Sequence, residues 1–363
     1  MGDAWTIVKT QITGICGSDV KQVFLEANID NPLKSVVSFP HVLGHEVVGT
    51  VIETGRAVTR VKKGDRVAVY PWLTCVVRGL PPCDPCLRGD FTLCENITKG
   101  DFAPGMHSGT CRDVSGGFAD TLPAHETMCV PIPDEVSWDA AVLADPFSVM
   151  LRAILKAPPE RGETVLVYGC GVLGLAGIHL VSKLFPEAIV YGVDTNDRTK
   201  DAAMSMGAHG FFAGMGAKLI ETVAAHVGAS LHRPAMALPW AIKGVDRVYD
   251  TVGAAGTLET AIRLLRARGT IVVVGVAPPE RFEWTPLYFK EITLTGSSGC
   301  GLETFEGQRK NGFQHYLELT AAARISGTEI ITHRFPLAAY QEAFVTAHEK
   351  RTTRSIKVLF DFA

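Results

Sequence analysis

The chain has 363 residues, 47% of them hydrophobic, which is enough for two domains with sizeable cores. A formal net charge of -3 gives no attraction to nucleic acid or to an acidic membrane surface. No apolar run is long enough to span a bilayer and Met1-Gly2-Asp3 opens no signal peptide, so the expected setting is the cytoplasm, with neither nucleic acid nor membrane as partner.

Nine cysteines, an odd number with a C-x-x-C pair among them, fit metal ligation in a reducing compartment better than a disulfide framework. Residues 4–10 (AWTIVKT) read as a strand that runs into Gly14-Ile15-Cys16-Gly17-Ser18-Asp19. A cysteine between glycines at a strand end has room to present its thiolate to a metal, and Ser18 and Asp19 suit proton transfer and support of a ligand. Alone, Cys16 reads as readily as a small buried hydrophobe. Gly44-His45-Glu46 then opens GHEVVGTVIETG, a strand with His45 at its mouth, and His45 with Cys16 makes half of a zinc site. Lys63-Gly64-Asp65-Arg66 is a turn into a further strand at residues 67–70.

Cys75, Cys83, Cys86 and Cys94 follow with spacing C-x7-C-x2-C-x7-C in a segment rich in Pro, Gly and Asp. Such a segment has too little apolar surface to order itself, and a tetrahedral four-cysteine zinc supplies its missing core. Cys83, Cys86 and Cys94 carry this signal, and the fourth ligand is Cys75 or Cys111. Residues 116–120 read as a turn into a strand, with Cys129 an unligated thiol. Asp145 is the one acid in the apolar segment AVLADPFSVM, where an ionised carboxylate needs a partner; it reads either as a helix cap or as a metal ligand.

The stretch ETVLVYGCGVLGLAGIHLVSKLFPEAIVYGVD, residues 163–194, organises the rest. A buried strand at 165–168 is followed by Gly169, Gly171 and Gly174 in G-x-G-x-x-G spacing, with Val172 and Leu173 opening a helix. The glycines permit the turn, the approach of a pyrophosphate and close helix packing. A second strand at 189–193 ends at Asp194, which suits the 2'-hydroxyl of NAD and repels the 2'-phosphate of NADP; no positive charge lies nearby before Arg198. Gly169, Gly171, Val172, Leu173, Gly174, Asp194 and Arg198 are the candidate cofactor-binding residues, and NAD the expected cofactor. Helices at 199–206, 218–227 and 257–267 alternate with strands at 210–213, 246–250, 270–275 and 292–295, and a loop carries Pro234 and Pro239. Six strands alternating with helices predict a doubly wound parallel sheet. The tail, with helices at 314–323 and 337–346 and a strand at 355–360, is expected to pack back on the first domain.

Together GICGSD (14–19), GHE (44–46), the cysteine lobe, ADPFSV (144–149) and GCGVLG (169–174) resemble zinc-dependent medium-chain alcohol dehydrogenases, of the branch that includes sorbitol and threonine dehydrogenases. The resemblance implies an α/β chain in three parts: a GroES-like β-rich catalytic domain with a structural-zinc lobe (1–145), a Rossmann NAD-binding domain (146–296), and a C-terminal return to the catalytic domain (297–363). It places the active site between the two domains. It also implies catalytic zinc at Cys16 and His45, Glu46 as a nearby or alternating ligand, Ser18 in the proton relay, and a homodimer or homotetramer joined at strand 292–295. Against the family's pattern the N-terminus looks short, Leu80 stands where the first lobe cysteine is usual, and Lys21 stands where many relatives carry a relay histidine. The third catalytic ligand, commonly Cys or Glu, falls on Asp145, which would complete the three protein ligands usual for catalytic zinc.

The expected activity is NAD-dependent interconversion of an alcohol, with secondary alcohols and polyols in view, and its aldehyde or ketone. The rival readings are an aldehyde dismutase that keeps its NAD bound and a zinc- and nucleotide-binding redox sensor without turnover. Phe39, His41, Trp72 and Phe147 lie near motif residues and are candidates to line the substrate pocket.

Overall fold

The computed structural model describes residues 2–24, 36–278 and 280–362, so Met1 lies outside the described residues. The chain divides into two compact units, Met1–Ser148 with Gly299–Ala363, and Val149–Ser298. Among the described residues no helix is long and apolar enough to cross a membrane.

The first unit begins with β1 (Trp5–Gly14), which buries Thr6, Val8, Thr10 and Ile12 on one face in the period of two that a half-buried strand requires. It runs further than residues 4–10 because it has partners along its whole length: β2 (Glu46–Thr54) throughout, and β4 (Thr121–His125) along its first half. Two register shifts against β2 bend it. β2 continues to β3 (Arg66–Val69) and β3 to β5 (Cys129–Pro131), all antiparallel. Val8, Val47, Val51, Val67, Val69 and Leu122 fill the core beneath.

In the second unit β6 (Thr164–Tyr168), β7 (Ile189–Asp194) and β8 (Gly210–Ala213) lead to a small hairpin, β9 (Ser230–His232) and β10 (Trp240–Ile242). β11 (Val245–Asp250), β12 (Leu265–Val273) and β13 (Thr293–Gly296) follow. Six of these form a parallel sheet in the order β13-β12-β11-β6-β7-β8, with the reversal between β6 and β11 that defines a doubly wound sheet. Two expectations are corrected. The helix read at 257–267 is Ala255–Leu264, and β12 already starts at Leu265. The run Leu265-Arg266-Ala267 favours helix locally, but Lys290 Nζ donates to the carbonyls of Ile262, Arg263 and Leu265 at 3.3, 3.0 and 2.7 Å and closes the helix there. The segment around Pro234 and Pro239, read as a loop, contains the β9–β10 hairpin, whose three-residue strands are too short to show a period.

After a second small hairpin, β14 (Leu302–Phe305) and β15 (Gln308–Asn311), the tail forms β16 (Ile331–Phe335) and β17 (Lys357–Asp361). The helix read at 337–346 starts as the 3-10 turn Leu337–Ala339 and continues as Tyr340–His348. β17 pairs with the end of β1, Gly14 opposite Leu359, and with β16, extending the first sheet to β16-β17-β1-β2-β3-β5. The end of β1, the start of β2 and the start of β17 are thereby neighbours.

Candidate active site and metal centres

That junction sets the geometry of the first candidate centre. A Cβ on Gly14 would collide with the Glu46 carboxylate and the Lys357 ammonium, so only glycine lets the two side chains meet across the strand. They form an ion pair, both nearly or fully buried, and Lys357 Nζ also donates to the Ile15 carbonyl at 3.2 Å. Cys16 precedes the short helix Gly17–Val23, and its N–H donates to Asp19 Oδ2 at 2.9 Å. The other oxygen of Asp19, which is fully buried, lies 3.4 Å from His45 Nδ1, an ion-pair contact in which neither atom completes a hydrogen bond. One carboxylate thus orients both Cys16 and His45, and with Nδ1 turned to Asp19 the Nε2 of His45 is left for a ligand. The ligand atoms of Cys16, His45 and Glu46 all lie within 4.8 Å of one another. Burial opposes a charged His45 ring, but Asp19 and Cys16 outweigh it and raise the ring well above its ordinary value. A half-buried thiol converging with a buried imidazole and a buried carboxylate forms a donor set that a zinc ion fits.

Asp145 occupies the first turn of helix Ala144–Lys156, is 9% exposed and hydrogen-bonds to no described residue. It falls outside the 4.8 Å group. Burial pushes its carboxyl up to about 7; Glu46 and Asp19 add to this, while His45 and Lys357 oppose it. Ser18 and Lys21 are exposed on the first and last turns of helix Gly17–Val23. Of the four residues expected to line a pocket, Phe147 is corrected: it is fully buried against Tyr316, ring centroids 5.0 Å apart, and belongs to the core. Phe39 is largely exposed and packs on His41 at 4.8 Å. Trp72 stands edge-on to His107, a residue the sequence did not single out. The His107 ring lies 4.6 Å from that of His45, and burial, followed by the charge of His45, pushes it down to about 3. Nothing in MHSGTC forms a motif that marks it.

The second candidate centre is the cysteine lobe. The sulfurs of Cys75, Cys83, Cys86 and Cys94 lie within 4.8 Å of one another, and all nine cysteines are free thiols. Cys94 is 3.5 Å from Cys75 and 4.0 Å from Cys83, close to the spacing of about 3.8 Å for four sulfurs at about 2.3 Å from a tetrahedral centre. N–H groups point at the sulfurs: Cys83 N–H and Asn96 Nδ2 at Cys75, Glu95 N–H at Cys83 and Asn96 N–H at Cys94. Burial raises Cys75, but these donors outweigh it and bring the thiol down to about 7. Burial instead raises Cys86 and pushes Cys94 up to about 11, so it is the convergence of the four sulfurs that a structural zinc fits. Cys111 is buried in the core of the first unit, its thiol against the Ala103 carbonyl, and stands outside the group. The lobe has a further organiser that the sequence reading missed. Arg78, fully buried, donates to the carbonyls of Leu73, Lys99, Phe102, Ala103 and Gly105.

In the second unit β6 passes into Gly169, whose φ of +89° is the conformation glycine adopts without strain, and helix Val172–Leu184 begins after Gly171. A Cβ on Gly174 would strike the Gly169 carbonyl, whereas one on Gly171 would meet nothing within 4 Å. The third glycine therefore lets the helix sit on the strand, and the second leaves an open backbone cradle before a helix N-terminus, which a pyrophosphate fits. Val172 and Leu173 contribute two of the helix's first N–H groups. At the end of β7, Asp194 Oδ2 accepts from Cys170 N–H at 2.9 Å and Oδ1 from Thr195 N–H at 2.7 Å. Arg198 lies just beyond, its N–H donating to Asn196 Oδ1 at 3.0 Å.

Comparison with known proteins agrees with this geometry. Residues 2–134 match the alcohol dehydrogenase GroES-like domain and residues 173–318 the zinc-binding dehydrogenase domain. The chain is 30% identical over 354 residues to a probable D-xylulose reductase A of Aspergillus clavatus, covering 97% of this chain and 88% of the relative. It is 28% identical over 357 residues to L-idonate 5-dehydrogenase of Vitis vinifera, covering 98% and 87%. The fold is shared with the crystal structure of 2R,3R-butanediol dehydrogenase from Bacillus subtilis, at TM-score 0.77 and 23% identity, over 100% of this chain and 94% of that one. The chain therefore belongs to the zinc-dependent medium-chain alcohol dehydrogenase family, and it is an oxidoreductase of alcohols with zinc and a nicotinamide dinucleotide as its cofactors.

Proposed function

We propose that the enzyme oxidises secondary alcohols and polyols to the corresponding ketones with NAD, at a zinc held by Cys16, His45 and Asp145, with Glu46 as the alternating ligand. The observation that carries this reading is the convergence of Cys16, His45 and Glu46 within 4.8 Å, with buried Asp19 behind both Cys16 and His45. Bound zinc supplies Lewis acidity that lowers the pKa of a substrate hydroxyl. Asp19 stands behind His45 Nδ1 and leaves Nε2 for the metal, and Lys357 holds Glu46 in place. Ser18, on the exposed first turn beside Cys16, passes the released proton to solvent. Gly169, Gly171 and Gly174, with the first N–H groups at Val172 and Leu173, seat the pyrophosphate; Asp194 accepts the ribose 2'-hydroxyl, and Arg198 lies at its margin. Cys75, Cys83, Cys86 and Cys94 hold the second, structural zinc. The names of the relatives favour polyols, since two are a xylulose reductase and an idonate dehydrogenase.

The test is a panel of polyols, secondary alcohols, amino alcohols and primary alcohols, each followed by the absorbance of the reduced cofactor with NAD and with NADP. Turnover strongest on polyols or secondary alcohols, with the higher kcat/KM for NAD, is expected. Absence of turnover across the panel overturns the reading, and a preference for NADP overturns the role of Asp194. We place the enzyme in the cytoplasm, as nine free thiols favour a reducing compartment; recovery of the chain from an oxidising compartment contradicts this. A homodimer or homotetramer is supported by β13, an edge strand with Leu294 exposed and with Trp284, Tyr288 and Phe289 exposed just before it. Light scattering that returns a monomer mass contradicts that part.

A further inference from the structure

His107 belongs to none of the ligand sets above, yet its ring touches that of His45, so whatever binds at the His45 group lies within a side chain's reach of it. It is held in one orientation. Its N–H donates to Thr110 Oγ1 at 3.1 Å, that hydroxyl donates back to the His107 carbonyl at 2.7 Å, and a β-bridge ties His107 to Trp72. The Trp72 ring then meets the imidazole edge-on at 5.8 Å. On the imidazole, Nδ1 is 2.7 Å from the Ser108 carbonyl, which can only accept, so Nδ1 carries the hydrogen and Nε2 of the neutral ring is an acceptor. That acceptor has no partner among the described residues, although the residue is only 8% exposed. An acceptor on a ring held in one orientation against His45 is placed to take a donor that arrives with a ligand of the His45 group. A simple secondary alcohol brings one hydroxyl, and that one is taken up at the reacting centre.

On the proposed reading of the site, we infer that His107 determines substrate specificity: its Nε2 accepts a hydrogen bond from a second hydroxyl, next to the reacting carbinol, and so selects vicinal polyols over the matching mono-alcohols. Glycerol and isopropanol form the matched pair, the same three-carbon secondary carbinol with and without flanking hydroxyls. The zinc-loaded wild type is compared with His107→Phe, which keeps an aromatic ring against His45 and Trp72, and with His107→Gln, which keeps an acceptor. Two quantities are read: the ratio of kcat/KM for glycerol to that for isopropanol, and the calorimetric Kd of glycerol for the enzyme–NADH complex. In His107→Phe the ratio falls and the Kd weakens by about tenfold or more, and His107→Gln recovers part of both. A support role for His45 alone lowers both substrates together. An unchanged ratio with an unchanged Kd, or a wild type indifferent between glycerol and isopropanol, overturns the inference while leaving the dehydrogenase intact. A wild type that turns over no alcohol at all removes the underlying reading and this inference with it.

Discussion

On the proposed zinc site Asp145 and Glu46 are the two candidates for one place beside Cys16 and His45, and their surroundings differ in kind. Glu46 is already neutralised: drawing it fully to a metal would leave Lys357, itself fully buried, with only the Ile15 carbonyl. Asp145 has no such partner, and burial, with Glu46 and Asp19 adding to it against His45 and Lys357, pushes its carboxyl up to about 7. A cation nearby is the group that stabilises its charge. Asp145→Asn is therefore expected to weaken zinc binding at this centre by roughly 10–100-fold, with a matching fall in kcat. Glu46→Gln should instead cost mainly stability, about 3–5 kcal/mol, by leaving Lys357 buried and unpaired. Zinc titration, turnover and urea unfolding of both variants decide the point; Asp145→Asn with normal zinc affinity and kcat returns the third position to Glu46. At this scale residue type and motif were enough to anticipate the grouping of Cys16 with His45 and the place of Asp194 at the end of β7. His107 was not legible, because a histidine in a polar loop has no pattern until the fold brings it against His45.

The cysteine lobe is ordered by more than its apolar contacts, which Leu73 and Val77 make with the core of the first unit. Its four sulfurs converge, and Arg78 gathers five carbonyls of the same segment, so that ligand geometry and backbone hydrogen bonding support each other. Cys86→Ser should lower the zinc content by one ion per chain and lower Tm, because a closed site contributes folding free energy directly. Metal analysis that finds the zinc content unchanged in this variant rules out the four-cysteine site. The spacing of the cysteines made the lobe legible, whereas Arg78 reads in sequence as an ordinary surface cation. The same contrast holds for helix Ala255–Leu264, whose end is set by Lys290 reaching back to its last carbonyls from outside the element. Local propensity carries no sign of such a contact.

Across the whole molecule, the doubly wound sheet was legible because strands such as Thr164–Tyr168 and Ile189–Asp194 are short, largely apolar runs between turn residues, with the glycine motif fixing where the order reverses. The hairpins β9–β10 and β14–β15 were not, since strands such as Gln308–Asn311, reading QRKN, are short and polar. The return of the tail matters most for function, as β17 brings Lys357 to Glu46 and closes the junction at Gly14. On the proposed reading this junction is the catalytic centre and the lobe is a separate, structural one. The most direct test is NADH formation by Cys16→Ala beside the wild type, on the best alcohol of the panel, in protein of known zinc content. The variant is expected to keep the lobe zinc, lose the other, and fall in rate by at least about a hundredfold; a rate near that of the wild type rules out catalysis at this junction.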